Sequence, residues 1–248
     1  MTDGLLDGVH KWIESSGRAL ELRVARTFRH EGASAVVTSF TYADPVTGLD
    51  REGDVLARYQ WEGTHRRAEL ACIVECKSST DHPWVGFFDR RAERNLVIDS
   101  WVAYAFSGLS NFPKRLAALW ISEPPFNDYR VATHIAAAHA KDSRNPANDA
   151  VRQVMSAVLA RKKEHVKQHH SDPTGLVLVP LIVTAAPLVS CELGRDGEIH
   201  LEEVKSLGVW GWMEGRAKRV YVVNESEVEG FARGLHYLAD TASRDPEI

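Results

Sequence analysis

Arg67-Ala68-Glu69-Leu70-Ala71-Cys72-Ile73-Val74-Glu75-Cys76-Lys77 is the stretch from which the rest of the chain is read. In an extended backbone alternate side chains share a face, so Ala71, Ile73, Glu75 and Lys77 point one way. Cys72, Val74 and Cys76 point the other. A solvated, salt-bridging strand carries polar residues along its whole length. Here Ala71, Ile73 and Val74 lead into Glu75, so the acid and the base close a strand of buried type.

Upstream, Glu52 to Trp61 reads as a partner strand, with Val55, Ala57, Tyr59 and Trp61 on one face and Asp54, Leu56 and Arg58 on the other. A turn near Glu62-Gly63-Thr64 joins the two. Ser34 to Tyr42 is a third strand, separated by the turn-forming Asp44-Pro45-Val46-Thr47-Gly48. The three strands form a meander. Before them, Leu5 to His30 is helical with a joint at Ser15-Ser16-Gly17. Glu21, Val24, Ala25 and Phe28 recur there at i, i+3, i+4 and i+7, which puts a carboxylate on an inward stripe.

Beyond the meander the pattern predicts a helix over Arg90 to Phe106, a strand over Leu116 to Ser122 and a helix over Val131 to Ala140. A helix from Pro146 is marked by Val151, Val154, Met155, Val158 and Leu159, and its last turns carry the positive charge that the dipole favours. Leu176 to Thr184 is an apolar, central strand. Leu188 to Leu193, Ile199 to Val204, Val209 to Met213 and Val220 to Val223 follow as strands, and Ser226 to Ala239 as a closing helix. The order is that of an α/β protein with a mixed sheet.

Composition narrows the classes of function. The chain has 248 residues, long enough for one large domain with its own core. Its 44% hydrophobic and 26% charged content is that of a soluble globular protein. The longest apolar run, 176–189, is too short for a membrane span and contains Pro180 and Pro187. Three cysteines with no framework spacing, and a start unlike a signal peptide, point to a reducing, cytoplasmic setting. A net charge of −4 means that any polyanion must be held by a local basic patch or by metal ions.

Asp54, Glu75 and Lys77 carry the chemistry. One register of adjacent strands brings the two carboxylates together, with an ammonium beside them. Mg²⁺ prefers a few carboxylates and several waters, which leaves room for a phosphate oxygen. The lysine can then orient or deprotonate a water, and Glu21 can bind a second metal or order that water.

The text Arg51-Glu52-Gly53-Asp54-Val55-Leu56-Ala57 followed by Ile73-Val74-Glu75-Cys76-Lys77-Ser78-Ser79 resembles the PD-(D/E)XK nuclease superfamily. Gly53-Asp54 matches its first half-motif, with glycine for the nominal proline, Glu75-Cys76-Lys77 its second, and Glu21 its helical acid. The resemblance implies a restriction-endonuclease-like αβββαβ core with a mixed central sheet, completed by the helix from Pro146 and the strand from Leu176. It adds an insertion at about 78–145 and extra C-terminal strands within a single domain over 1–248. It implies catalysis by Glu21, Asp54, Glu75 and Lys77, and Mg²⁺, with Mn²⁺ as substitute, bound at Asp54, Glu75 and Cys76. The glutamine–tyrosine pair of some branches is not matched, because Ala157 stands where the tyrosine belongs after Gln153.

The expectation is a Mg²⁺-dependent DNA endonuclease of prokaryotic restriction, repair or antiphage type, acting as a homo-oligomer or within a larger assembly and not on a membrane. Its rivals are a non-catalytic structural or nucleic-acid-binding subunit of the same fold, and an RNA-directed nuclease. Arg58 is a candidate phosphate contact. Cys72 and Cys76 read as packing rather than a zinc site. His165, His169 and His170 read as a solvated helix tip. Arg161-Lys162-Lys163 with Lys167 fits phosphate contacts and dipole complementation equally. Arg90, Arg91 and Arg94, after Trp84 and Phe87-Phe88, fit a substrate groove or an ordinary helix face. Gly208, Gly211 and Gly215 form no phosphate loop, since no helix follows them.

Overall fold

The computed structural model describes residues 3–62, 67–89, 103–105, 129–140, 145–168 and 174–244. Two helices, α1 (Asp3–Ser15) and α2 (Arg18–His30), precede a meander of β1 (Ala35–Ala43), β2 (Asp50–Glu62) and β3 (Arg67–Lys77). Short strands β4 (Trp84–Phe88), β5 (Ala103–Ala105), β6 (Val131–Ala132) and β7 (His134–Ala137) follow. Then come α3 (Pro146–Gln168), β8 (Thr174–Thr184), β9 (Leu188–Leu193), β10 (Ile199–Val204), β11 (Ser206–Met213), β12 (Arg216–Asn224) and α4 (Val228–Arg244). None of these helices is long and apolar enough to cross a membrane.

The main sheet is mixed, in the order β1-β2-β3-β8-β12-β11-β6, with β5 also paired to β8. The meander pairs antiparallel, whereas β3 runs parallel to β8 along its whole length, from Arg67↔Thr174 to Lys77↔Thr184. A parallel neighbour requires a crossover, and α3 lies in that connection. Buried on both faces, β3 and β8 read as apolar runs rather than alternations. One face packs Leu20, Val24 and Phe28 of α2 and Phe231 and Leu235 of α4 against Val55, Ala57, Leu70, Cys72 and Val74. The other packs Val151, Val154 and Val158 of α3, and residues of a second sheet, against Ala71, Ile73 and Ile182. That second sheet has the order β10-β9-β4-β7.

The expected helix over Val131 to Ala140 is corrected to strands. Ala132 pairs with Val209 of β11, and Ile135 and Ala137 pair with Gly86 and Trp84 of β4. The alanines favour helix locally, but buried pairing partners override a preference of tenths of a kcal/mol per residue. Ala103–Ala105, inside the expected helix over Arg90 to Phe106, pairs with β8 instead. The remainder of that helix, Arg90, Arg91 and Arg94, the strand over Leu116 to Ser122, and His169 and His170 lie outside the described residues.

Three sequence signals resolve into structural roles. Arg58 donates from Nε and Nη2 to Glu69 Oε2 at 3.0 and 2.5 Å, and Arg161 Nη2 donates to Glu69 Oε1 at 2.9 Å. Lys162 pairs with Glu214. His165 is buried rather than a solvated tip. Arg161 and Lys162 of α3 therefore bind an acid of β3 and an acid of the turn between β11 and β12.

Burial pushes the Glu69 carboxyl up, but hydrogen bonds from Arg58, Arg161 and Gln60 outweigh it and hold it at about 2. A depressed carboxylate stabilises the fold above its unfolded range, so this contribution is lost as pH falls from about 4.5 towards 2. Glu69→Gln is expected to cost about 3 kcal/mol at neutral pH, since it strands two partly buried arginines. The loss should shrink in that same acid window. Denaturant melts at pH 7 and pH 3 check both; equal losses at the two pH values would show that the ionic network is not the cause.

Candidate active site

The candidate residues gather where β2 and β3 part. Their last paired residues are Val55↔Val74; beyond them β2 follows β1, with Phe40↔Gly53, while β3 follows β8. The Cys76 N–H donates to Asp54 Oδ2 at 2.6 Å. A side-chain carboxylate thus takes the place of a ladder bond at the fork of the sheet.

Two features of the chain shape that fork. Ser39, opposite Asp54, has φ +53°, an uncommon conformation for a residue other than glycine. It turns β1 over: Val36 packs on the α2 side, whereas Phe40 and Tyr42 pack on the α3 side. Phe40 then lies across Gly53, where a Cβ would stand 2.3 Å from the ring. Glycine is needed beside Asp54 for this reason.

Glu75 and Lys77 share the α3 face, as strand alternation requires. Lys77 Nζ donates to Glu75 Oε1 at 2.6 Å and to Gln153 Oε1 at 3.0 Å. Glu21 reaches the same cleft from the first turn of α2, where Arg18 Nη1 donates to its Oε2 at 2.8 Å and to Glu52 Oε1 at 2.9 Å. The cleft, of about 290 Å³, is lined by Glu21, Asp54, Glu75 and Lys77, together with Gly17, His82 and Trp84 among others. All four residues expected to be catalytic are therefore brought together. Arg58 is not among the lining residues, being spent on Glu69.

The electrostatics are those of crowded acids. Burial, and then the charge of Glu75, pushes Asp54 up to about 6, against the opposing bond from Cys76 and the charge of Lys77. Burial likewise raises Glu75, although Lys77 pulls it down. Glu21 is raised by burial against the bond from Arg18. Asp54 Oδ1 and Glu75 Oε2 have no hydrogen-bond donor among the described residues. Two such oxygens in a cleft suit a hard cation that keeps several waters. Among the described residues no group of three or more His, Cys, Asp and Glu side chains is arranged as a metal site, so the side-chain donors are few. Cys76 does not supply its thiol readily, because burial raises it well above its ordinary value.

Sequence reasoning missed two neighbours. Gln153 belongs to an incomplete helix motif, yet it holds Lys77. Tyr42 arrives from β1, its OH 3.5 Å from the Gln153 carbonyl, and is raised by burial and, in smaller part, by the charge of Glu75. The helical stripe of α3 could have given Gln153 a place near the sheet. Nothing in the sequence marks the reversal at Ser39 that delivers Tyr42.

Set against protein-family models, curated proteins and solved structures, the chain matches none.

Proposed function

We propose that this chain is a metal-dependent nuclease that hydrolyses phosphodiester bonds, most readily as a DNA endonuclease of restriction, repair or antiphage defence. The observation that carries the reading is the convergence of Asp54, Glu75 and Lys77 at the fork of β2 and β3, with Glu21 facing them from α2. With β4–β7 set aside as an insertion after β3, the elements α2, β1, β2, β3, α3 and β8 follow the αβββαβ order of the superfamily that the sequence resembles, which supports it. Asp54, Glu75 and Cys76 would hold Mg²⁺ or Mn²⁺, Cys76 not through its buried thiol. The bound metal would polarise the phosphoryl group and lower the pKa of a water. Lys77, fixed between Glu75 and Gln153, orients the attacking water, and Glu21 orders solvent across the cleft.

The purified protein is expected to nick or cut DNA when Mg²⁺ or Mn²⁺ is present and to stop when EDTA is added. Supercoiled, linear and single-stranded DNA and RNA, run in parallel, check this. Metal-dependent cutting of RNA alone would move the reading to the RNA-directed nuclease. Binding without cutting in every lane would favour the non-catalytic subunit of the same fold.

A further inference from the structure

We infer that His82 is a catalytic residue of this cleft, the acid that protonates the leaving sugar oxygen of a phosphodiester; the assignment rests on the nuclease reading above. Three observations lead to it. His82 lines the same cleft as Asp54, Glu75 and Lys77. Among the described residues no hydrogen bond or ion pair engages its imidazole. Its backbone, finally, is tethered. The loop after β3 is tightened where Ser79 Oγ donates to Asp81 Oδ2 at 3.1 Å. Just beyond His82, the Pro83 carbonyl accepts from Ala138 N–H and Trp84 N–H donates to the Pro187 carbonyl, each at 2.8 Å. Proline at 83 further restricts the backbone of His82.

The charged groups of the cleft are engaged with one another or with the backbone. Glu75 and Lys77 form one ion pair, Asp54 accepts from Cys76, and Glu21 is tied to Arg18. In the reading above these groups hold the cation and orient the attacking water, and none of them is assigned to protonate the alkoxide that departs. Histidine is the side chain that both holds and releases a proton near neutral pH, and such a donor typically contributes 10²–10⁴-fold in rate. In the step, the water oxygen bonds to phosphorus and the phosphorus–oxygen bond to the leaving sugar breaks. Its electron pair goes to that oxygen, which takes the proton of the imidazolium. The proton of the attacking water leaves to solvent and the imidazole regains one from solvent, so the sum is the addition of one water.

A leaving group that needs no proton gives the test. Once the wild-type cut site is mapped on ordinary DNA, oligonucleotides with a bridging sulfur at that linkage, 3′ in one and 5′ in another, are compared with the oxygen linkage. His82→Gln should slow cutting of the oxygen linkage by about 10²-fold or more. It should cut the linkage with a thiolate leaving group at close to the wild-type rate, with an unchanged thermal melt. Equal rates for variant and wild type on the oxygen linkage would overturn the role of His82 alone. Equal loss on oxygen and sulfur linkages would also overturn it, showing that His82 binds or positions substrate. A wild-type protein that cuts no nucleic acid overturns the nuclease reading and this assignment together.

Discussion

Asp54→Asn is expected to yield a folded protein that gains no stability from Mg²⁺ and does not cut. The asparagine Oδ1 can still accept the Cys76 N–H, so the fork between β2 and β3 keeps its bond. What disappears is one of two like charges. In EDTA at pH 7.5 the variant should therefore melt no lower than the wild type, because a neutral amide removes the buried charge of Asp54 and its repulsion with Glu75, the two causes that raise Asp54. With millimolar Mg²⁺ the order should reverse. A ligand that binds only the native state stabilises it by mass action, by about 2.7 kcal/mol at a hundred times its Kd. The wild type should gain in this way and the variant should not. Glu75→Ala should likewise lose the gain. Paired melts with Mg²⁺ and with EDTA decide the point, and an Asn variant that responds to Mg²⁺ as the wild type does removes Asp54 from the cation site.

The parts of this arrangement that were legible in the sequence are those governed by period. The bounds of β3 follow from alternation, and the joint between α1 and α2 from Ser15-Ser16-Gly17, where Gly17 has φ +82°. Placing Asp54 beside Glu75 needed only one register between adjacent strands, and the meander supplies it. Failures came where tertiary partners decide. The alanine-rich Val131 to Ala140 has no local reason to be extended; β4 and β11 supply one. Arg58 shares a strand face with Asp54, yet Glu69 lies within its reach on the neighbouring strand and claims it. A charge pattern along one strand cannot show which cross-strand partner wins. Gln153 reaches Lys77 from a packed helix and His82 reaches the cleft from a tethered loop, geometries that no spacing rule encodes.

Lys77 separates catalysis from folding more sharply than any other residue. Its ammonium bridges Glu75 and Gln153, with the Lys77 side chain 28% exposed and that of Glu75 only 10%. Removing the charge has two consequences that can be measured apart. Structurally, Glu75 loses its cation in a half-buried setting, which costs more than a surface pair of about 0–1 kcal/mol and less than a fully buried one. Chemically, the water loses the group that orients it. Lys77→Ala and Lys77→Met should each lower turnover by about 10²–10⁴-fold or more, with nucleic-acid affinity little changed. The methionine keeps the stem packed, so its agreement with alanine would assign the loss to the charge. Rates are to be taken well below both melting temperatures, so that lost stability does not pass for lost turnover. A purely structural ion pair predicts the opposite pattern: a lower Tm for both variants, with cutting by the folded protein unchanged. A Lys77→Met protein that cuts at the wild-type rate would leave the conjunction of Asp54, Glu75 and Lys77 as a folding device and nothing more.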